Sequence, residues 1–187
     1  AVTNSQTSAF TATTTSQARA GSNNITVSQI AQEQRSLSNA FASETAKFNA
    51  GSVTLSLIVG SSSQTASSIS VADASLSGTV KAINAANLGV TAEIVDTGES
   101  ANRYRIQLIG ETGAEKTFSL TSSDNSLNFS SVQSAADAKL NVNGIDFIRS
   151  KNVIDDVLTG VSLSLNSVTT GAASLSINQD NSEAKAN

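Results

Sequence analysis

The sequence predicts a mainly β protein, a β-rich α+β chain of short antiparallel strands with one or two short helices. Three observations carry that expectation. Apolar residues recur at every second position in short runs, as in Val53, Leu55 and Leu57 or Val161, Leu163 and Leu165. The runs are separated by breaks rich in Gly, Asn and Ser. One of them, Asn143-Gly144, is the strongest short-range hairpin signal, because a type I′ turn needs positive φ at both central residues. Only two stretches of clear helical spacing interrupt this pattern, near 76–83 and near 153–158.

Taken in order, residues 1–20 are rich in Thr, Ser and Ala and read as a linker or an edge strand, with Phe10 the one large apolar residue after Val2. Ile25 and Val27 then alternate with Thr26 and Ser28 as a strand. Two periods fit residues 29–41: the strand continues to about Gln34, or Ile30, Gln34, Leu37 and Phe41 form a helical stripe. Gly51 opens a strand through Val53, Leu55 and Leu57, and Ile69 with Val71 makes a short partner. Leu76, Val80 and Ile83 stand at i, i+4 and i+7, with Ser75 as N-cap and a stop at Asn87 to Gly89. Val90, Ala92 and Ile94, then Tyr104, Ile106 and Leu108, then Phe118 and Leu120 return to strand period. The order β-β-α-β-β-β thus forms one compact unit over about 51–121. A polar stretch, 122–134, leads to the hairpin of Leu140 and Val142 with Ile145 and Phe147 or Ile148. Asn152 is placed to cap a short helix through Val153, Ile154, Val157 and Leu158, stopped by Gly160. Val161 to Leu165, then Leu175 and Ile177, are the last strands, and the chain is polar after Asn178.

Composition narrows the function. Leu, Ile, Val and Phe make up about 24% of the chain, above the roughly 20% below which chains tend to stay unfolded. A net charge of −4 does not oppose collapse. The 187 residues suit one large domain or two small ones. There is no His and no Cys, so Ser-His-Asp triads, Cys-His dyads and imidazole or thiolate metal sites are excluded. Ser-Lys and two-carboxylate chemistries stay open in principle. The 11 basic residues are scattered against 15 acidic ones, which leaves no positive stripe for nucleic acid. The chain opens at Ala1 and carries neither a basic-then-apolar leader nor a long apolar run. It is expected to be soluble, a fragment or a processed product, with no membrane partner.

Several residues are candidates for chemistry. Asp155 and Asp156, read as neighbours in a first helical turn, would project about 100° apart and favour the helix dipole rather than share a proton. Arg103 and Arg105 share one strand face opposite Tyr104, a solvated face behind a core tyrosine. Asn24-Ile25-Thr26 and Asn128-Phe129-Ser130 match glycosylation acceptors, a match expected by chance in a chain so rich in Asn, Ser and Thr. Asp180, Asn181 and Glu183 offer oxygens to calcium without EF-hand spacing. No catalytic residue, no cofactor and no metal site is expected, and the chain is read as a structural module, not an enzyme.

Three segments resemble one family. Ala82-Ile83-Asn84-Ala85-Ala86-Asn87-Leu88-Gly89-Val90-Thr91-Ala92, followed by Tyr104-Arg105-Ile106-Gln107-Leu108, is similar to the hook IN motif of flagellar axial proteins. Gly21 to Gln34, and Ala136 to Leu165 with Asn143-Gly144 and Gly160-Val161-Ser162-Leu163, resemble segments of the flagellar filament cap family, hook-associated protein 2. The resemblance implies two small antiparallel β domains, one inserted into the other: 11–50 with 134–178 as the discontinuous domain and 51–133 as the insertion. Residues 1–10 and 179–187 become linkers towards a helical leg domain not contained here. It also implies a secreted bacterial structural protein, the head of a ring at the filament tip that promotes flagellin polymerisation. The implied partners are other copies of itself, flagellin and a host surface, with the fragment alone monomeric or weakly associating. The alternative is an extracellular adhesin or phage-tail-like β domain that binds glycan or host protein.

Overall fold

The computed structural model describes residues 1–62 and 65–179. Fifteen strands and one α-helix among these residues divide between two units. Among the described residues, the first unit contains 1–31 and 137–179; the second lies within Gln32–Ala136. The chain passes between them twice, at 31/32 and 136/137.

The first unit has a five-stranded and a three-stranded antiparallel sheet. The five-stranded sheet is ordered β1-β15-β3-β11-β12, where β1 is Val2–Asn4, β3 Gly21–Gln29, β11 Ala138–Val142, β12 Ile145–Arg149 and β15 Ala173–Ile177. The three-stranded sheet is β13-β14-β2, where β2 is Phe10–Thr14, β13 Val153–Leu158 and β14 Val161–Leu165. Period-2 alternation turns Ile25, Val27, Leu140, Leu163, Leu175 and Phe10 into one core. Of the two readings of residues 1–20, the edge strand holds and the linker does not: β1 pairs with β15 and β2 with β14 at sheet ends, and the Phe10 side chain is fully buried.

The second unit pairs a four-stranded sheet, β10-β4-β8-β7, with a three-stranded one, β6-β5-β9. Here β4 is Glu33–Ser38, β5 Val53–Val59, β6 Ser67–Val71, β7 Thr91–Asp96, β8 Tyr104–Thr112, β9 Phe118–Ser122 and β10 Phe129–Gln133. The strand-strand-helix-strand-strand-strand order expected for 51–121 is present, with a 3₁₀ turn at Ala114–Lys116 before β9. Helix α1, Leu76–Ala86, starts where Ser75 Oγ accepts the Gly78 N–H at 3.0 Å, and ends at Asn87 in the left-handed conformation. Its buried stripe is Leu76, Thr79 and Ile83, with Val80 partly covered.

Four sequence expectations are corrected by this architecture. Residues 32–50 do not belong to the discontinuous domain: β4 pairs with β8 on one side and β10 on the other, so 32–136 is the second unit. The strand from Ile25 does not run through Gln34. It stops at Gln29, and after Ile30 and Ala31 the chain joins another sheet. The polar stretch 122–134 holds a strand, β10, and the buried Leu127. Residues 153–158 are not a helix but strand β13, paired with β14 and bulged between Ile154 and Leu158. Three of its four apolar residues are β-branched, which favours the pleated chain. Gly160, at φ 71°, is the turn of this hairpin rather than a helix stop, and a Cβ there would lie 2.5 Å from the Ala18 backbone nitrogen.

Candidate functional site

An exposed corner of the first unit, with aliphatic side chains on opposite faces of β12 and on β13, is the feature best suited to function. β12 is the last strand of the five-stranded sheet and β13 the last of the three-stranded one, and only Ser150, Lys151 and Asn152 lie between them in sequence. Cross-strand pairs in the β11–β12 hairpin fix its faces: Val142 stands opposite Ile145, Leu140 opposite Phe147 and Lys139 opposite Ile148. Phe147 therefore packs at the core margin, Ile145 lies beyond it at the hairpin tip, and Ile148 points to the outer face beside Lys139. Ile145, Ile148 and Val153 are 60%, 59% and 65% exposed, half of the large apolar side chains left open among the described residues. A shallow depression lined in part by Thr26, Ser28, Lys139, Asn141 and Asp146 takes in Ile148, but neither Ile145 nor Val153.

Arg149 organises this corner. Its Nε donates to Asp156 Oδ1 at 3.0 Å, its Nη1 donates to the Ile148 carbonyl at 2.9 Å, and its guanidinium lies 5.3 Å from the centre of the Phe147 ring. Ile148 sits at a non-hydrogen-bonded position of the hairpin, so its carbonyl faces the open edge, and the guanidinium occupies it. The side chains present are aliphatic, with one ion pair at the rim. This suits contact with another surface.

The residues singled out in the sequence fall into structural settings. Asp155 and Asp156 lie on bulged strand β13, not in a helical turn, so the helix-dipole reading does not apply; Asp156 receives Arg149. Asn152 caps nothing. Its Oδ1 accepts the Ala31 N–H at 2.7 Å and its Nδ2 donates to the Ala31 carbonyl at 2.9 Å, as a neighbouring strand would. Arg103 makes a two-pronged pair with Asp96, at 2.8 and 3.0 Å, which holds the Asp96 carboxyl below its usual range. Arg105 donates to the Ser38 carbonyl at 3.0 Å, and Tyr104 packs against the second core. Hydrogen bonds from the Ser126 hydroxyl and Asn49 lower the Asp124 carboxyl likewise. Asn24 lies in paired strand β3, and Asn128 exchanges hydrogen bonds with Asn39. Asp180, Asn181 and Glu183 lie outside the described residues. Asn84, within the motif segment, spans the helix-to-strand return: its Oδ1 accepts the Ala92 N–H at 2.8 Å and its Nδ2 donates to the Ala92 carbonyl at 3.0 Å.

The exposed corner has only a faint signature in the sequence. It is the run Ile145-Asp146-Phe147-Ile148, in which period 2 can place either Phe147 or Ile148 inward, but never both.

Comparison with known proteins agrees along the chain. Residues 135–187 match the family model of the flagellar hook-associated protein 2 C-terminus. Flagellar hook-associated protein 2 of Salmonella typhimurium is 32% identical over 127 residues, covering 60% of this chain and 27% of that protein. The flagellar cap protein FliD D2–D3 domains of Escherichia coli superpose with a TM-score of 0.84 at 30% identity, over 96% of this chain and 98% of theirs. The E. coli D1-D2-D3 structure gives the same TM-score and identity, but this chain covers only 59% of it. The D2–D3 domains of Serratia marcescens follow at 0.78 and 26%, over 91% of this chain and all of theirs. The chain thus spans about a quarter of its curated relative.

Proposed function

Since the chain belongs to the flagellar hook-associated protein 2 family, the cap proteins of the flagellum, we propose that it is the head region of a filament cap. In this reading it stands outside the cell at the filament tip, promotes flagellin polymerisation through protein contacts, and catalyses no reaction. The observation that carries it is the end-to-end likeness to an isolated D2–D3 pair, 96% of one chain on 98% of the other. The adhesin alternative is not favoured by these relatives.

We place one contact to a neighbouring subunit at the β12–β13 corner. Three aliphatic side chains supply far less than the roughly 2,000 Å² and more buried by obligate interfaces. The head alone is therefore monomeric or weakly associating at about micromolar concentration, and a stable ring draws on further contacts. Sedimentation across a concentration series tests this, and a closed ring at low concentration contradicts it. The function is tested in a cap-deficient strain supplied with a full-length family protein carrying this head, either intact or with Ile145, Ile148 and Val153 all changed to Ser. The intact head should restore filaments, and the altered one should shed unpolymerised flagellin. Failure of the intact head would sink the cap reading; equal growth of the two would sink only the corner contact.

A further inference from the structure

We infer that Asn143-Gly144 is a site of spontaneous deamidation in this chain, and that strand β3 restrains the reaction by fastening the Asn143 side chain. Asn followed by Gly is chemically labile because no side chain at the second residue hinders approach of its backbone nitrogen. The Gly144 nitrogen attacks Asn143 Cγ. A nitrogen–carbon bond forms, the Cγ–Nδ2 bond breaks, and Nδ2 departs as ammonia with the proton from the Gly144 nitrogen. Water then opens the five-membered imide at either carbonyl. One opening gives Asp; the other gives isoaspartate, whose main chain carries one extra carbon.

Each group in that step is engaged. The electrophile's Oδ1 accepts the Asn24 N–H at 2.9 Å, and the leaving Nδ2 donates to Asn23 Oδ1 at 2.9 Å. The nucleophile's N–H is given to Asn141 Oδ1 at 3.0 Å. The amide orientation is unambiguous, because a backbone N–H can only donate. Asn143 also gives its own N–H to the Asn24 carbonyl at 2.9 Å. The side-chain oxygen thus extends the β3–β11 ladder by one rung beyond Ile25 and Val142. Both turn residues are exposed, so water reaches them freely; the restraint is on the amide groups. The isoaspartate product would add a main-chain atom to the two-residue turn that joins Val142 to Ile145 and would detach it from β3.

The test incubates the 187-residue chain at pH 8 and follows the tryptic segment 140–149 by mass spectrometry. Compared are the native wild type, the wild type in urea, and native Asn23→Ala, Asn141→Ala and the double variant. Asn102-Arg103 serves as the internal reference. Native wild type should convert at least about tenfold more slowly than the unfolded chain, a factor within reach of two or three such hydrogen bonds. The double variant should recover much of the difference while Asn102 stays unchanged. Equal rates in the native and unfolded wild type would overturn the inference. So would an unaltered rate at Asn143 in the double variant, or an equal rise at Asn102, which would show general loosening.

Discussion

Gln34 is 5% exposed and makes four hydrogen bonds. Its Nε2 donates to Ser36 Oγ and the Phe118 carbonyl, and its Oε1 accepts from the Phe118 N–H and the Thr117 hydroxyl. Phe118 sits at a position of β9 whose backbone groups face away from β5, so Gln34 is the partner they would otherwise lack. Gln34→Leu keeps the volume and strands these groups. It should cost about 1–3 kcal/mol for each buried group left unpaired; superimposable urea melts would contradict this. The turn at Gly144 makes a second demand at this scale. Its φ is 89°, and a Cβ added there would meet nothing within 4 Å, so any penalty is conformational and not steric crowding. Gly144→Val should destabilise by about 1–3 kcal/mol, read as a lowered thermal midpoint; coincident melts would show the turn is otherwise built.

Among elements, β13 separates the legible from the hidden. The strands with clean two-residue alternation, such as β5, β8 and β14, are visible because burying one face demands that period. Helix α1 is visible through Ser75 and its stripe. In Asn152-Val153-Ile154-Asp155-Asp156-Val157-Leu158, the bulge shifts the alternation and leaves an i, i+4 pattern that imitates a helix. The break between β3 and β4 is hidden because both strands alternate and only their partners differ. Strand β10 has almost no inward apolar residues to announce it. A single substitution distinguishes the two readings of Asn152. As an N-cap, Asn and Asp are nearly equivalent. As the clamp on Ala31, Asp loses the donor to the Ala31 carbonyl and faces it with charge. Asn152→Asp should therefore lower stability by about 1–3 kcal/mol at pH 7, and an unchanged midpoint in chemical denaturation would favour the cap.

For the whole molecule, the position of the crossings decides what can stand alone. The second core, from Val53 and Leu55 to Leu120 and Leu127, is enclosed by elements of 32–136, with β4 central to its larger sheet. We expect 32–136 to fold in isolation with dispersed amide NMR signals. The segment 51–133, the insertion suggested by the sequence, lacks β4, leaves β8 and β10 without their shared neighbour, and should show narrow dispersion. Native-like spectra from 51–133 would mean that β4 is dispensable.

The pairing of β1 with β15 has a mechanical consequence. Ala1 and Asn178 exchange hydrogen bonds at 2.9 and 3.0 Å, at the same end of an antiparallel pair. Force applied between residues 1 and 179 peels that pair one rung at a time, a loading geometry that yields more readily than shear. Both connections of 32–136 lie inside the first unit, so tension cannot reach the inserted unit until the first has opened. In a single-molecule pulling experiment the roughly 350–380 Å of extended chain in 32–136, at about 3.3–3.6 Å per residue, should be released last. Its earlier release would show that load bypasses the peeled pair. The inserted unit is thus shielded from traction on its own polypeptide by the strands that enclose it in sequence.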